Sequence, residues 1–232
     1  MLALVLSTLL LFVPPADTSW EHQRLRNQMV DRQIAARGVS DPFVLAAMRS
    51  VPRHRFAPDH APALAYADQP LPIGHDQTIS QPYIVALMTE LVKPSGSDRV
   101  LEVGTGSGYQ AAVLAEIVDS VYTIEIIPAL ARTARTRLRT LGYDNVVVRT
   151  GDGYKGWPER APFDAIVVTA APEDIPPPLL DQLAPGGRMI VPVGPTGRTQ
   201  RLTLVTKSAD GQITRRAVAP VRFVPFLRKN EN

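Results

Sequence analysis

The sequence predicts an α/β protein: a mostly parallel, doubly wound sheet with a helical addition at its N-terminus. Three observations predict it. A short apolar run, Val100-Leu101-Glu102-Val103, breaks into glycines at Gly104, Gly106 and Gly108 and resumes as the helix-like Gln110-Ala111-Ala112-Val113-Leu114. That is the strand–turn–helix unit at which open α/β sheets bind nucleotide-like ligands. Further apolar runs at 120–125, 145–149 and 163–169 alternate with helical patterns. The run Phe163-Asp164-Ala165-Ile166-Val167-Val168-Thr169 is nearly continuous, as expected of a parallel strand buried on both faces.

Composition narrows the class. At 232 residues, 45% hydrophobic and 20% charged, the chain is long enough for one domain with additions. The net charge of +3 is small, and no dense Lys/Arg run is interleaved with aromatics, so nucleic acid is not strongly implied despite a pI near 9.4. The absence of cysteine excludes disulfides, a thiol nucleophile and zinc–thiolate sites. His22, His54, His60 and His75 lack metal-ligand spacing, so no metal is expected. Residues 1–13 are apolar apart from Ser7 and Thr8 and lead into Pro14-Pro15-Ala16-Asp17. The run is short for a membrane span and lacks the positive residues that usually precede an export signal. A weak export signal, an upstream extension from a misplaced start and a disordered tail stay open, and residues 1–18 are set apart from the fold.

Leu25, Met29, Val30 and Ile34 predict an amphipathic helix over 21–37, stopped by Gly38. Ser40-Asp41-Pro42 starts a second helix through Val44, Leu45 and Met48. Pro52, Pro58 and Pro62 interrupt the chain after it, and 61–77 shows no sustained periodicity, the mark of a long irregular stretch that is functional or mobile. The polar cluster Asp76-Gln77-Thr78-Ile79-Ser80-Gln81-Pro82 precedes an apolar helix over 84–92. Spacing alone favours Ser80 or Thr78 as a helix cap; the other reading is an anion site at a helix N-terminus, suited to a carboxylate.

Beyond the glycines, residues 120–125 predict a strand ending in Glu125, where a carboxylate can accept both ribose hydroxyls of a nucleoside. A helix over 129–141 carries Arg132, Arg135, Arg137 and Arg139, read as a solvated face. After the strand at 145–149, Asp152 could accept from an adenine amino group, with Gly153 keeping the approach open; an ordinary Asx turn is the alternative. Small residues Ala170-Ala171-Pro172 leave room at the sheet's carboxyl edge. A short helix over 176–183, a turn over 183–188 and a strand over 189–194 come next. Residues 200–206 and 212–218 predict closing strands around Ala209-Asp210-Gly211. The apolar tail 220–226 packs as an edge segment or covers the site.

The glycine spacing also speaks to the ligand. The dinucleotide fingerprint needs a third glycine at position 109, which here is Tyr. Glu102 beside the turn would repel a pyrophosphate and could suit a cation. S-adenosylmethionine, with its sulfonium and amino group, fits better than a nicotinamide dinucleotide.

The combination of Gln77-Thr78-Ile79-Ser80-Gln81-Pro82, Val100-Leu101-Glu102-Val103-Gly104-Thr105-Gly106-Ser107-Gly108-Tyr109 and the run 163–172 resembles the protein-L-isoaspartate O-methyltransferases. So do Val51-Pro52-Arg53 with Phe56, Leu183-Ala184-Pro185-Gly186-Gly187-Arg188, and Val221-Arg222-Phe223-Val224-Pro225. The resemblance runs from about residue 28 to residue 226. It implies a Rossmann-like class I S-adenosylmethionine-dependent methyltransferase fold with seven strands. It also implies methyl transfer to the free α-carboxylate of L-isoaspartyl residues in damaged proteins and peptides, the ester then closing to a succinimide.

By position, the resemblance makes Ser80 the active-site serine and places Thr78, Ile79, Gln81, Val221, Arg222, Phe223 and Val224 beside the acceptor. It assigns Gln77, Glu102, Gly104, Thr105, Gly106, Ser107, Gly108, Glu125, Asp152 and Gly153 to the cofactor. After Pro225 the chain reads Phe226-Leu227-Arg228, where some members carry a threonine near the site. The expected organisation is a leader at 1–18 and one methyltransferase domain at 19–232. Within it, 19–97 holds helices and the substrate loop, 98–206 the cofactor-binding core and 207–232 the closing strand and tail. The expected protein is a cytoplasmic monomer without nucleic-acid partners, membrane insertion or metal; export through residues 1–16 is the alternative. Competing functions are an RNA or small-molecule methyltransferase, an NAD-dependent oxidoreductase and a non-catalytic S-adenosylmethionine-binding module.

Overall fold

The computed structural model describes residues 18–57 and 60–229, so the expectations for the apolar leader and for the break at Pro58 lie outside the described residues. Helix α1 (Thr18–Met29) starts one residue inside the segment set apart as leader. The single helix expected over 21–37 is three pieces: α1, a π-helical turn over Val30–Ile34 and a tighter turn over Ala35–Arg37. Val30 and Ile34 lie in the wider turn and are fully buried beside Met29, so the altered pitch serves the packing of that face. Gly38 ends the run with φ 97°. Helix α2 (Pro42–Ser50) begins as its sequence predicts: Asp41 accepts from the backbone N–H groups of Phe43 and Val44 at 2.9 and 3.1 Å.

Residues 61–77 are more regular than expected. They hold a single-turn helix α3 (Pro62–Ala65) and most of an antiparallel hairpin, β1 (Leu71–Gly74) with β2 (Gln77–Ile79). His75 and Asp76 at the hairpin tip both have positive φ, 54° and 56°, the pattern of a primed two-residue turn. Asp76 and the adjacent Gly74, at φ 86°, are turn-forming residues, but the flanking strands are too short to show an alternating pattern. Helix α4 (Pro82–Val92) comes next. Neither Ser80 nor Thr78 caps it: the N-cap position is Gln81, with no side-chain cap bond, and the N–H of Tyr83 is taken at 2.9 Å by Asp68. The cap comes from fifteen residues upstream, leaving the Ser80 hydroxyl out of the helix's own bonding.

The glycine stretch joins β3 (Arg99–Val103) to α5 (Tyr109–Ala115). β4 (Ser120–Glu125), α6 (Pro128–Thr140), β5 (Val146–Thr150), β6 (Phe163–Val168), α7 (Pro177–Gln182) and β7 (Leu183–Val193) continue the alternation. β8 (Gln200–Lys207) and β9 (Ile213–Val221) close the sheet as an antiparallel pair. The order is β5-β4-β3-β6-β7-β8-β9, with β3 to β7 mutually parallel. This is the expected class I methyltransferase architecture. The turn expected over 183–188 lies inside β7, as an irregularity between the pairs Phe163–Leu183 and Ala165–Arg188.

Alternating strand residues feed two cores, as the two-residue period dictates. Val100, Val121, Ala165 and Val167 pack with α4, α5 and the N-terminal helices; Leu101, Ile124, Ile166 and Val168 pack with Trp157 and α7. The strand order reverses between β3 and β6, which opens a crevice beyond their carboxyl ends. The arginines of α6 are only half a solvated face. Arg132 and Arg139 are exposed, but Arg135 donates to the carbonyl of Val148 and Arg137 to that of Ser107, both at 2.8 Å. The space expected at Ala170-Ala171-Pro172 is partly filled. The N–H of Ala171 donates to Val224 O at 2.9 Å and its carbonyl accepts from Phe226 N at 3.0 Å. The tail past β9 is therefore a cover, joined to the segment just past β6 by a single bridge between Ala171 and Pro225.

Candidate active site

Beyond the ends of β3 and β6 lies a narrow crevice of about 60 Å³. Its floor is Val103, Gly104 and Gly106, one wall is Glu125 with Ile126 and Ile127, and another is Gly153. Residues 224–227 of the tail and Gln77 and Thr78 of β2 bound its mouth. The Glu125 carboxylate is fixed by two backbone donors, Gly106 N–H at 2.8 Å and Ile127 N–H at 2.9 Å. It is 5% exposed, so its remaining lone pairs can serve only a ligand in the crevice or the turn itself. Gly104 is required twice over: its φ is 100°, and a Cβ there would stand 2.3 Å from the hydroxyl oxygen of Thr169. Gly153, expected to keep the approach open, is demanded first by packing, since a Cβ would lie 2.3 Å from Val103 Cγ1 and 3.5 Å from Phe226.

A larger groove of about 490 Å³ adjoins the crevice. Thr78, Ser80 and Gln81 line one side, and Val221, Arg222, Phe223 and Val224 the other. Gln200 holds that second side, accepting from Phe223 N–H at 2.9 Å. Arg37 and Tyr83 also line the groove, the guanidinium 3.4 Å above the ring centroid. Asp68 ties this wall together: it pairs with Arg37, accepts from Gln81 Nε2 at 3.0 Å, and accepts from Tyr83 N–H. The charged groups lining the groove are Arg37 and Arg222; among the described residues it presents no carboxylate, histidine or lysine. Its field suits an anion and its lining offers no general base.

A third, small cavity lies between Ser80 and the glycine turn, reaching Glu102, Thr105, Ser107 and Gln110. Glu102 is fully buried and corrects the expectation of a ready carboxylate beside the turn. Desolvation raises its pKa to about 8, reinforced by the charge of Glu125 and opposed by a hydrogen bond donated by Thr123. At neutral pH without ligand it is mostly the acid. Its Oε1 accepts no hydrogen bond of full geometry among the described residues, the Ala111 N–H being its nearest backbone influence. That under-satisfied acceptor, the fixed Glu125 carboxylate and the close-packed glycine floor fit a ligand bearing an ammonium group and a ribose.

The predicted residues separate by place. Gln77, Gly104, Gly106, Glu125 and Gly153 line the crevice; Thr78 and Val224 line both crevice and groove; Ser80, Gln81, Val221, Arg222 and Phe223 line the groove. Ile79, Glu102 and Thr105 reach only the small cavity, and Ser107 lines it together with a separate pocket beside α6. Thr105 turns inward to Thr123, with the hydroxyl oxygens 2.6 Å apart. Gly108 faces Leu138 of α6 and lines none of the three. Asp152 accepts from Tyr154 N–H at 2.9 Å in the Asx-type arrangement and is likewise absent from the crevice lining. Sequence reasoning missed Arg37, Tyr83, Thr169 and Phe226. Arg37 arrives from an element distant in sequence and no local pattern marks it, whereas Tyr83 directly follows the polar cluster at the start of α4. Thr169 had a usable signal, being the polar residue that ends the central apolar run.

Comparison with known proteins agrees with this geometry. The family model described as protein-L-isoaspartate(D-aspartate) O-methyltransferase matches residues 23–231. A protein-L-isoaspartate O-methyltransferase 1 from Nitrosospira multiformis is 61% identical over 208 residues, 89% of this chain and 88% of the relative. One from Opitutus terrae is 55% identical over 228 residues, 97% of each chain. A solved protein-L-isoaspartate O-methyltransferase superposes with TM-score 0.78 at 31% identity, over 88% of this chain and 65% of its own. A Plasmodium falciparum chain assigned to the same enzyme, in complex with S-adenosyl-L-homocysteine, gives TM-score 0.74 at 25% identity over 88% of this chain and 99% of its own. With the crevice, the groove and the seven-stranded order in place, this chain belongs to the protein-L-isoaspartate(D-aspartate) O-methyltransferase family.

Proposed function

We propose that the chain repairs damaged proteins by methylating the free α-carboxylate of L-isoaspartyl residues, with Ser80 orienting that carboxylate in the groove. The observation that carries this reading is the groove's chemistry: several hydroxyls, Ser80 among them, the guanidinium of Arg222 with that of Asp68-paired Arg37, and no carboxylate, histidine or lysine in the lining. A hydroxyl or amine acceptor needs its proton removed as it reacts. A carboxylate is already a nucleophile and needs only to be held. S-adenosylmethionine supplies an electrophilic methyl group on a sulfonium when bound. Glu125 would hold its ribose and Glu102 would accept from its amino group, recovering the carboxylate form as an ammonium approaches. Gln77 and Thr78 would close the mouth.

The chain's work is then alignment. Orientation of reacting groups supplies roughly 7–11 kcal/mol of a barrier. Ser80 donates to one acceptor oxygen and leaves the other free to attack. The extended segment Val221-Arg222-Phe223-Val224 would run beside the peptide. The ester product closes to a succinimide without further help: the neighbouring amide nitrogen attacks the ester carbonyl, losing its proton as the C–OCH3 bond breaks and methanol leaves, and water then opens the ring partly to the normal aspartyl form. In this reading the protein acts as a cytoplasmic monomer on peptides and proteins, without nucleic acid. A mature N-terminus near Asp17 in an extracytoplasmic fraction would overturn the compartment.

The test is conversion. An L-isoaspartyl peptide incubated with the protein and S-adenosylmethionine should pass, over repeated cycles, largely into its normal aspartyl form on chromatography. A peptide that stays isoaspartyl and unesterified overturns the reading.

A further inference from the structure

Thr78 and Thr169 are the two described residues that line the crevice, the groove and the small cavity alike. Methyl donor and acceptor have to meet where these spaces join. Thr78 sits on the β1–β2 hairpin; Thr169 sits on the sheet itself, directly after β6, across the point where the strand order reverses. Its N–H donates to Val103 O at 2.9 Å, which extends the parallel pairing of β3 and β6 by one bond. Its hydroxyl goes further. It donates to Gly104 O at 2.6 Å, with Val103 O at 3.1 Å, and so grips the first residue of the glycine turn.

We propose that Thr169 is a positioning residue for methyl transfer: its hydroxyl ties Gly104 to the end of β6 and fixes the distance between the crevice floor and the groove. This rests on the function proposed above and adds a residue to it. The strand pairing ends at Val103 with Val168 and needs no side-chain bond. The shorter hydroxyl bond, 2.6 Å to Gly104 O, acts on the turn, the surface a bound cofactor would lie against; the longer one, 3.1 Å to Val103 O, falls on the strand end. The proton of Thr169 is committed to that carbonyl, so the residue orients the turn rather than donating to a substrate. A misplacement of about 1 Å in a reacting pair can cost about a hundredfold in rate.

Thr169→Val keeps the shape and removes the hydroxyl; Thr169→Ser keeps the hydroxyl and removes the methyl. Turnover at saturation, KM for an L-isoaspartyl peptide and the dissociation constant of S-adenosylhomocysteine should be measured for both. Thr169→Val should lose about tenfold or more in kcat, with KM and the dissociation constant within about twofold of the parent. Thr169→Ser should restore most of that loss. If Thr169→Val does not fold, Thr169→Ala replaces it under the same criteria. Undiminished kcat in the hydroxyl-free variant, an equal loss in Thr169→Ser, or a loss explained wholly by cofactor affinity overturns the proposal. A parent protein silent on the isoaspartyl peptide overturns the reaction itself and this role with it. A parent that turns over and a Thr169→Val variant that matches it overturns this role alone.

Discussion

Ser80 stands just ahead of α4 on the wall shared by the groove and the small cavity. Its hydroxyl escapes capping because Asp68 caps the helix instead. A hydrogen bond to a charged group is worth about 1.5–3 kcal/mol, so Ser80→Ala should lower kcat by roughly ten- to a hundredfold. The affinity for S-adenosylhomocysteine should stay at the parent value; full turnover in the variant would remove Ser80 from the mechanism. Glu125→Ala should behave in the opposite way. It strips two backbone N–H groups of their acceptor and the crevice of its carboxylate, so calorimetry should show the dissociation constant rising at least about tenfold. Glu102 makes a prediction about pH. Its folded pKa, about 8, lies above the ordinary 4.5, so the folded state binds the proton more tightly. The associated stability is complete below about pH 4.5 and disappears as pH rises through about 8. Thermal melts of ligand-free protein should fall from about pH 5 to about pH 9, and Glu102→Gln should flatten that fall. Parallel melting curves for parent and variant would show that Glu102 titrates normally.

At the scale of elements, the N-terminus of α4 is held by a residue that the local sequence does not reveal. Asp68→Ala removes the acceptor from Tyr83 N–H and Gln81 and the partner from Arg37. The loss should be about 1–2 kcal/mol, read as a drop in Tm of about 2–8 °C. Because the same carboxylate holds Gln81 and Arg37 in the groove wall, KM for the acceptor peptide should rise as well. A stable variant with parent KM would mean the helix start holds itself. The strands of the parallel core are legible from apolar runs and glycines, because a buried parallel strand leaves little choice of residue; their order came from the structure. The β1–β2 hairpin was not read from the sequence, because its strands are only four and three residues long and carry no sustained alternation, although Gly74 and Asp76 at its tip are turn-forming residues. The contacts of Ala171 with the tail were hidden for another reason: they join residues more than fifty positions apart through backbone atoms, which leave no trace in side-chain pattern.

Across the whole molecule, the chain places two binding spaces on either side of one sheet edge and lets a single tail segment border both. Residues 221–224 line the groove, and 224–227 line the crevice. The glycine turn and the acid at the end of β4 were legible because the nucleotide-like site is built from consecutive residues at strand ends. The groove was legible only through the Thr-Ile-Ser-Gln-Pro segment and the tail motif. Of its two guanidinium groups, Arg222 belongs to that tail motif, whereas Arg37 was assigned by periodicity to a helix and reaches the groove paired with Asp68. Arg228 lies 3.7 Å over the ring of Tyr154 and anchors the tail just past Leu227, where some members of the family carry a threonine. In the proposed function the two spaces serve one reaction at their junction. Its most direct test is methyl transfer from labelled S-adenosylmethionine to two peptides that differ only in L-isoaspartyl or L-aspartyl at one position. Base-labile label should appear on the isoaspartyl peptide alone; label on both alike, or on neither while S-adenosylhomocysteine still binds, would contradict that reaction.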